Sequence, residues 1–344
     1  MRSKRLGRVT CAVLLAGCML ALSTAAASAA TLNGAGSTLV APIEAEWATA
    51  WGNSTGNNVN YAAVGSGTGY KDIAQGLVDF GASDAPLSVY STPPCANCVQ
   101  IPWALTATGV SYRIDGLRLP RRTSLHLTGS VLSKIYLGQI TNWSDPAIRA
   151  LNKGAHIPST PITVLWRSDS SGDTYAFTRY LSDVSGAFAS KVGSSTAVSF
   201  PVGVGAKGNS GLASAVAGTN GAIAYIAVSY LIADHLPAVG IKNAAGRYVV
   251  PNLSAIEAAA AGVHSIRPDN QVTIVDPPRR AKSAYVISTY TYAIVPSTAS
   301  QGGLLQSFIS YALGGGQRFG PALDFAPLPK VVLAAARGTI NGIG

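Results

Sequence analysis

Past its first thirty residues the chain has almost no cysteine or histidine, and it has no long apolar run. Only Cys95 and Cys98 remain there, as Cys95-Ala96-Asn97-Cys98. A thiolate metal site would lack its second pair. A redox pair would need a helix N-terminus to lower a thiol pKa, yet this one follows Pro93-Pro94 and precedes the strand-like run Val99–Trp103. A small disulfide loop is therefore expected. The histidines, His126, His156, His235 and His264, are scattered and none neighbours a candidate motif, so no metal centre or cofactor is expected. Gly221–Val228 is apolar but too short to span a bilayer and reads as a buried strand. No internal repeat or low-complexity linker is present.

What the chain does have begins at its start. Met1-Arg2-Ser3-Lys4-Arg5-Leu6-Gly7-Arg8 precedes an apolar run from Val9 to Leu22, and Ala27-Ser28-Ala29-Ala30 is a small-residue cleavage pattern. Residues 1–30 read as a secretory signal peptide. Within the run, Leu15-Ala16-Gly17-Cys18 is a lipobox, which would instead leave a lipidated Cys18 at the mature N-terminus. Both readings export the protein, to the periplasm or to the cell exterior. Removing the leader removes Arg2, Lys4, Arg5 and Arg8 and no acid, so the formal charge falls from +10 to +6. That balance favours anionic ligands without naming one. The cations are dispersed along the sequence with no dense basic, aromatic-laced cluster, so no nucleic-acid surface is expected.

The remaining length suits two domains better than one. Helical spacing over 39–51 puts Leu39, Ile43, Trp47 and Trp51 on one face. Strand-like runs at Thr31–Asn33, Val59–Val64, Val78–Ala82, Thr106–Tyr112, Ile162–Trp166 and 285–295 alternate with helical patterns. The latter lie at Tyr70–Gly76, Leu132–Leu137, Asn142–Leu151, Tyr175–Asp183, Asn252–Gly262, Leu304–Leu313 and Val331–Arg337. This alternation predicts an α/β architecture with largely parallel sheets. Trp47, Trp51 and Phe80 are expected in the core.

Three stretches share one physical form, a hydroxyl among glycines just before a helical pattern: Gly34-Ala35-Gly36-Ser37-Thr38, Gly65-Ser66-Gly67-Thr68-Gly69 and Arg167-Ser168-Asp169-Ser170-Ser171-Gly172-Asp173-Thr174. Each offers backbone N–H groups, a hydroxyl and the positive end of a helix dipole, a combination suited to an oxyanion. Each lies beyond the carboxyl end of a strand, where ligands bind in such folds.

Thr31–Thr38, Val59-Asn60-Tyr61, Gly65-Ser66-Gly67 and Val78-Asp79-Phe80-Gly81-Ala82-Ser83-Asp84-Ala85-Pro86-Leu87 resemble the phosphate-binding protein of bacterial high-affinity phosphate ABC transporters, the PstS family. So do Ile135–Gly138, Asn142-Trp143, Gly203–Asn209 and Gly221–Tyr225, and the resemblance covers essentially the whole mature chain. Cys-x-x-Cys is not part of the general family pattern. The resemblance implies a type II periplasmic binding protein: two α/β lobes joined by two hinge strands, with the ligand cleft between them. The backbone would cross near Gly109–Arg113 and Tyr285–Tyr290, giving lobe one as 31–112 plus 288–344 and lobe two as 113–287.

The resemblance also implies a ligand set. Thr38 and Ser66 would give hydroxyls, Leu39 a backbone N–H, and Arg167 a charge-assisted hydrogen bond. Asp169 would orient Arg167, and Ser171 and Gly172 would donate from the third helix start. Asp84 would be the only ligand-facing acceptor. It would accept a hydrogen bond from a P–OH of phosphate and repel sulfate, which carries no proton. One position departs from the pattern: Asp173 stands where the family commonly has threonine. It would repel the ligand unless it turned away and gave only its N–H, with Thr174 supplying the hydroxyl.

The expected function is non-enzymatic capture of inorganic phosphate and delivery to membrane permease subunits by a monomer. Two alternatives remain: a binder of another tetrahedral oxyanion or phosphate ester, and a secreted phosphatase using Ser66 or Ser171. The phosphatase has no histidine in these motifs to act as base and no metal-ligand spacing.

Overall fold

The computed structural model describes residues 29–344; the signal-peptide and Cys18 readings lie outside the described residues. The first part of the chain forms β1 (Thr31–Gly36), α1 (Ala41–Thr55), β2 (Asn58–Ala63), α2 (Ser66–Ala74), β3 (Phe80–Ser83) and β4 (Cys98–Tyr112). The middle forms β5 (His126–Leu127), α3 (Gly129–Tyr136), α4 (Pro146–Leu151), β6 (Thr163–Arg167), α5 (Gly172–Val184), α6 (Gly186–Lys191), β7 (Val204–Ala206) and α7 (Gly208–Gly218). It continues with β8 (Ala222–Ala227), α8 (Val228–Ala233), β9 (Gly240–Lys242), β10 (Tyr248–Val249) and α9 (Leu253–Ala260). The chain ends with β11 (Ser288–Pro296), α10 (Gly302–Ala312) and α11 (Lys330–Ile340).

The strands build one eight-stranded sheet in the order β2-β1-β3-β11-β4-β8-β6-β7 and a small sheet β10-β9-β5. Within each lobe the pairing is parallel, β1 with β2 and β3, and β6 with β7 and β8. The middle of the sheet corrects the largely parallel expectation: β11 is antiparallel to β3 and β4, and β4 is antiparallel to β8. The reason lies in β4. Its first part pairs with β11 as far as Ala107, and from Thr108 it pairs with β8. One strand thus serves both lobes and must match the direction set by each.

The runs Val99–Trp103 and Thr106–Tyr112, separate in the sequence reading, are one strand of 15 residues. Pro102 is accommodated because the register slips opposite Thr291/Tyr292, a bulge of the kind that lets proline sit inside a sheet. Trp103 at this point donates its indole N–H to Thr291 Oγ1 at 2.8 Å.

α1 forms as expected, with Ile43, Trp47 and Trp51 buried and Gly56 closing it in the left-handed conformation at φ 74°. α2 starts at Ser66, a turn earlier than the expected Tyr70. Its glycines are needed for contact, since a Cβ on Gly69 would lie 2.3 Å from the Ala35 carbonyl. Trp47, Trp51, Phe80, Trp103 and Phe308 fill the core of lobe one, with the Trp47 and Trp103 rings 5.2 Å apart. Tyr136, Phe177 and Tyr225 do the same in lobe two. The Cys95–Cys98 disulfide is formed at the entry to β4.

Not foreseen was the path of residues 269–272. They fall within the range expected for lobe two but pack on lobe one. Asn270 Nδ2 donates to the Gln100 carbonyl (2.9 Å) and to Thr339 Oγ1 (2.6 Å), and Gln100 Nε2 donates to the Asp269 carbonyl (2.7 Å).

Candidate functional site

The parallel strands decide where the site forms. β1, β2 and β3 end at one edge of lobe one, and β6, β7 and β8 end at the facing edge of lobe two. The turn after β1 leads into α1, β2 into α2, and β6 into α5, as expected. A fourth start, α7 after β7, joins them. The edges meet closely. A Cβ on Gly172 would lie 2.4 Å from Asp84 Cβ, and one on Gly67 would lie 2.1 Å from Ser170 Oγ. Gly67 N–H also donates across the junction to the Ser170 carbonyl at 3.1 Å. The lobes are closed on each other, and glycine is required at these two positions for that closeness.

Thr38, Ser66, Asp84 and Arg167 lie in two buried hydrogen-bond clusters that adjoin through the Ser37–Thr38 and Gly172–Asp173 peptide bonds. Ser37 Oγ lies 2.6 Å from Asp84 Oδ1 and 2.7 Å from Oδ2, donating to the carboxylate. Ser66 Oγ sits 3.4 Å from Asp84 Oδ2 and accepts the Gly172 N–H across the junction at 3.1 Å. On the other side, Arg167 grips Asp169 with Nε (2.8 Å) and Nη2 and donates from Nη1 to Asp173 Oδ2 at 3.0 Å. Asn209 completes the second cluster: its Nδ2 lies 2.8 Å from both Thr38 Oγ1 and Asp173 Oδ2, and its Oδ1 accepts the Ala227 N–H. Thr108 of β4 adds a 2.6 Å bond to Asp173 Oδ1.

Four of the residues expected to face a ligand have partners within the protein in this geometry. The Leu39 N–H donates to Ser37 Oγ at 3.0 Å, because a hydroxyl one turn before α1 is well placed to take that orphan donor. Ser171 Oγ accepts the Asp173 N–H at 3.1 Å, capping α5, so Asp173 does not present a free N–H. The Asp173 carboxylate does not turn away. It stays in its cluster, held by Arg167, Asn209 and Thr108. The Thr174 hydroxyl points to Tyr225 Oη at 2.8 Å, and that oxygen also accepts the Arg167 N–H. Asp84 is thus one of two buried acceptors in these clusters.

The electrostatics follow from burial and partners. Burial, then the charge of Asp173, push Asp84 up from 3.8 to about 8, against the opposing Ser37 hydrogen bond, the Arg167 charge and the Ser66 hydrogen bond. Burial also raises Asp173, opposed by Arg167, Thr108 and Asn209. Burial acts on Asp169 in the same direction, but Arg167 and the Gly208 N–H (2.9 Å) outweigh it and hold Asp169 below its ordinary value. Three carboxylates therefore surround one guanidinium. Asp169 is saturated by ion pairing, whereas burial raises both Asp84 and Asp173. A tetrahedral oxyanion entering here would meet helix N-termini, hydroxyls and the remaining N–H bonds of Arg167.

The sequence reading missed Ser37, Thr108, Asn209 and Tyr225. Ser37 stands beside Thr38 in the same motif, and Asn209 follows a glycine at a strand-to-helix turn, so both carried a signal. Thr108 sits in an apolar strand and Tyr225 in a buried one, and neither differs locally from a core residue.

The PBP superfamily domain pattern matches residues 22–315. The chain is similar to the protein named phosphate-binding protein PstS of Xylella fastidiosa (strain Temecula1), with 34% identity over 302 residues, 87% of this chain and 81% of the relative. It is similar also to the PstS of Pasteurella multocida (strain Pm70), with 33% identity over 310 residues, 89% of this chain and 88% of the relative. Among solved structures, a phosphate-binding protein from Stenotrophomonas maltophilia aligns with TM-score 0.65 and 23% identity over 90% of this chain and 94% of that one. A high-affinity periplasmic phosphate-binding protein solved with phosphate aligns with TM-score 0.69 and 24% identity over 90% of this chain and 93% of that one.

Proposed function

The chain belongs to the PBP superfamily and, within it, to the PstS phosphate-binding proteins, and on that premise we propose that it is an exported binding protein that captures inorganic phosphate and delivers it to an ABC transporter. The observation that carries this reading is the pair of adjoining hydrogen-bond clusters that brings Thr38, Ser66, Asp84 and Arg167 together across the two lobes. In this reading the lobes part for the ion, which then enters between the hydroxyls of Thr38 and Ser66 and the helix starts at Leu39 and at Ser171, Gly172, Asp173 and Thr174. Groups that now satisfy each other, the Gly172 N–H with Ser66 and Asn209 with Thr38, exchange those bonds for ligand oxygens.

Proton counting supplies the selectivity. Phosphate carries one or two protons near neutral pH and sulfate carries none. A P–OH can donate to Asp84 in its ionised form, whereas sulfate has no proton to give and would face that buried carboxylate anion to anion. The lobes divide at the partner exchange of β4 and at the start of β11, and the protein works as a monomer, without a cofactor, in the periplasm or at the cell surface. Its partners are phosphate and membrane permease subunits. We read it as a binder rather than an enzyme because Ser171 Oγ caps α5 and Ser66 Oγ is held by the Gly172 N–H. Neither hydroxyl faces an imidazole.

Titration calorimetry with phosphate and with sulfate tests this. Micromolar or tighter phosphate binding with no sulfate heat is the expected result, and absence of any phosphate heat overturns it. The second carboxylate, Asp173, favours one further reading, a ligand with a different protonation pattern. Arsenate or a sugar phosphate displacing phosphate at equal concentration would establish that reading instead.

A further inference from the structure

The cations that lie dispersed along the sequence are sorted in space. Residues 113–287 hold seventeen Lys and Arg against nine Asp and Glu, while 31–112 with 288–344 hold four against six. The excess gathers at one end of lobe two. Arg118, Arg121, Arg122 and Lys153 are all exposed. Their segments are bound together, since the Arg118 and His156 backbones exchange bonds of 3.0 and 2.9 Å, and Asn152 holds the His126 backbone through both side-chain atoms. The small sheet continues the surface. The Gly240 N–H donates to the Leu125 carbonyl, and the His126 ring stacks on Tyr248 at 4.1 Å with Lys242 over the same tyrosine. Asn243 Nδ2 donates to the Lys282 and Ala284 carbonyls, which brings in Arg247, Arg279, Arg280 and Lys282.

Among the described residues, none of these nine cations is in an ion pair; the five pairs found involve Arg113, Arg167, Arg179 and Arg267. The only acids in the contributing segments 113–126, 150–157, 240–250 and 276–284 are Asp115, which pairs with Arg113 at 3.0 Å, and half-buried Asp276.

This surface lies away from the cleft. β4 touches the site at Thr108 and runs outward, so Tyr112, four residues on, is about 13 Å further along the strand, and the basic segment begins just beyond it. Leu117 and Leu119 alternate with Arg118. With Ile114, Tyr112, Leu236 and Pro237 they line an open, mainly apolar cavity of about 530 Å³ at the same end.

We propose that this basic end of lobe two docks the protein on an anionic phospholipid surface while leaving the cleft free. The cations are exposed and spread over several turns and the edge of the small sheet, which suits a flat array of headgroups better than a single strand of polymer. The cavity lined by Leu117 and Leu119, which flank Arg118, gives the interface an apolar component that a purely ionic polymer would not use. The purpose of such docking rests on the reading that the ligand is handed to a membrane permease; the docking itself does not.

The test compares the processed protein with a variant carrying Arg121→Glu, Arg122→Glu, Lys242→Glu and Arg247→Glu, and with a control carrying Lys134→Glu and Lys191→Glu, which are exposed elsewhere on the same lobe. Co-sedimentation is measured with vesicles of phosphatidylglycerol and phosphatidylcholine in equal parts, and with phosphatidylcholine alone. A lipid at Cys18 would add equally to all three proteins. The expected result is salt-sensitive preference for the anionic vesicles, reduced at least tenfold in the quadruple variant and little changed in the control. Equal sedimentation with both vesicle types overturns the proposal, as does an unaffected quadruple variant. Binding to polyphosphate or duplex DNA without binding to vesicles also overturns it. Phosphate calorimetry on the same samples reads the cleft separately: loss of phosphate heat in every sample would sink the proposed ligand without touching the vesicle result.

Discussion

The two lobes handle acid differently. Lobe one buries Glu44 and Asp84 without an ion-pair partner. Burial pushes Glu44 up from 4.5 to about 8, and burial with the Asp173 charge does the same to Asp84. Lobe two sets half-buried Asp169 and buried Asp173 on Arg167; the ion pair holds Asp169 below its ordinary value, while burial still raises Asp173. One side of the cleft thus offers hydroxyls and a carboxyl that titrates near neutrality, and the other offers a charge locked in place by two partners. The contrast teaches how one site can attract an anion and still count its protons. On the proposed reading, attraction would come from lobe two and the helix starts, and discrimination from lobe one.

The contrast breaks most severely at Arg167. Arg167→Ala is expected to weaken phosphate binding by ~2 kcal/mol or more and to destabilise the fold by about 3–5 kcal/mol, because Asp169 and Asp173 would lose their buried partner. Calorimetry and urea denaturation read the two effects. If both stayed near wild type, lobe two would not be the source of charge.

Next in size is a pH effect from lobe one. In the ligand-free protein Asp84 holds a proton up to about pH 8, while the unfolded chain releases it near 3.8. Folding stability therefore falls as pH climbs from about 4 to about 8 and levels off above, by at most about 1.4 kcal/mol per pH unit for this one group. Glu44 contributes in the same direction over nearly the same window. Urea denaturation at several pH values should show this slope diminished in Asp84→Asn and, separately, in Glu44→Gln. Asp84→Asn should also admit sulfate; a mutant that still excludes sulfate would place discrimination elsewhere.

A smaller change is expected at the bridge between the lobes. Asn209→Ala strips Thr38 and Asp173 of a shared donor and leaves the Ala227 N–H unmet, costing about 1–2 kcal/mol. It should lower phosphate affinity while leaving the phosphate–sulfate preference intact. The smallest effect belongs to Arg179→Ala, which removes an exposed i,i+4 pair with Asp183 and should shift stability by about 0.3–0.5 kcal/mol. A larger shift in thermal unfolding would show that exposed charge in lobe two carries structural weight outside the cleft.

Much of the fold was legible locally. The Trp47/Trp51 spacing and Gly56 define α1, and the β-branched and aromatic run after 285 announces β11. The three glycine–hydroxyl turns were found for the reason they exist: a chain that must leave a strand and start a helix around an anion needs small residues and hydroxyls there. Less legible was whatever depends on a partner distant in sequence. The shared strand β4 looked like two because Pro102 breaks the local pattern, and only the bulge opposite Thr291 and Tyr292 restores it. Asp173 looked like an intruder, and its fit depends on Thr108, Arg167 and Asn209 arriving from three elements.

The sequence by itself determined the alternation of strands and helices, the hydroxyl-rich helix starts and the single arginine among them, because periodicity, glycine and capping act over a few residues. Tertiary structure alone decided which donors meet which acceptors, that Leu39, Ser171 and Thr174 satisfy neighbours within the protein, and that dispersed cations share one end of lobe two. Hydrogen bonds and charges act through space over a few ångströms, and in a sheet whose strands come from both ends of the chain, residues at that distance are seldom neighbours in sequence.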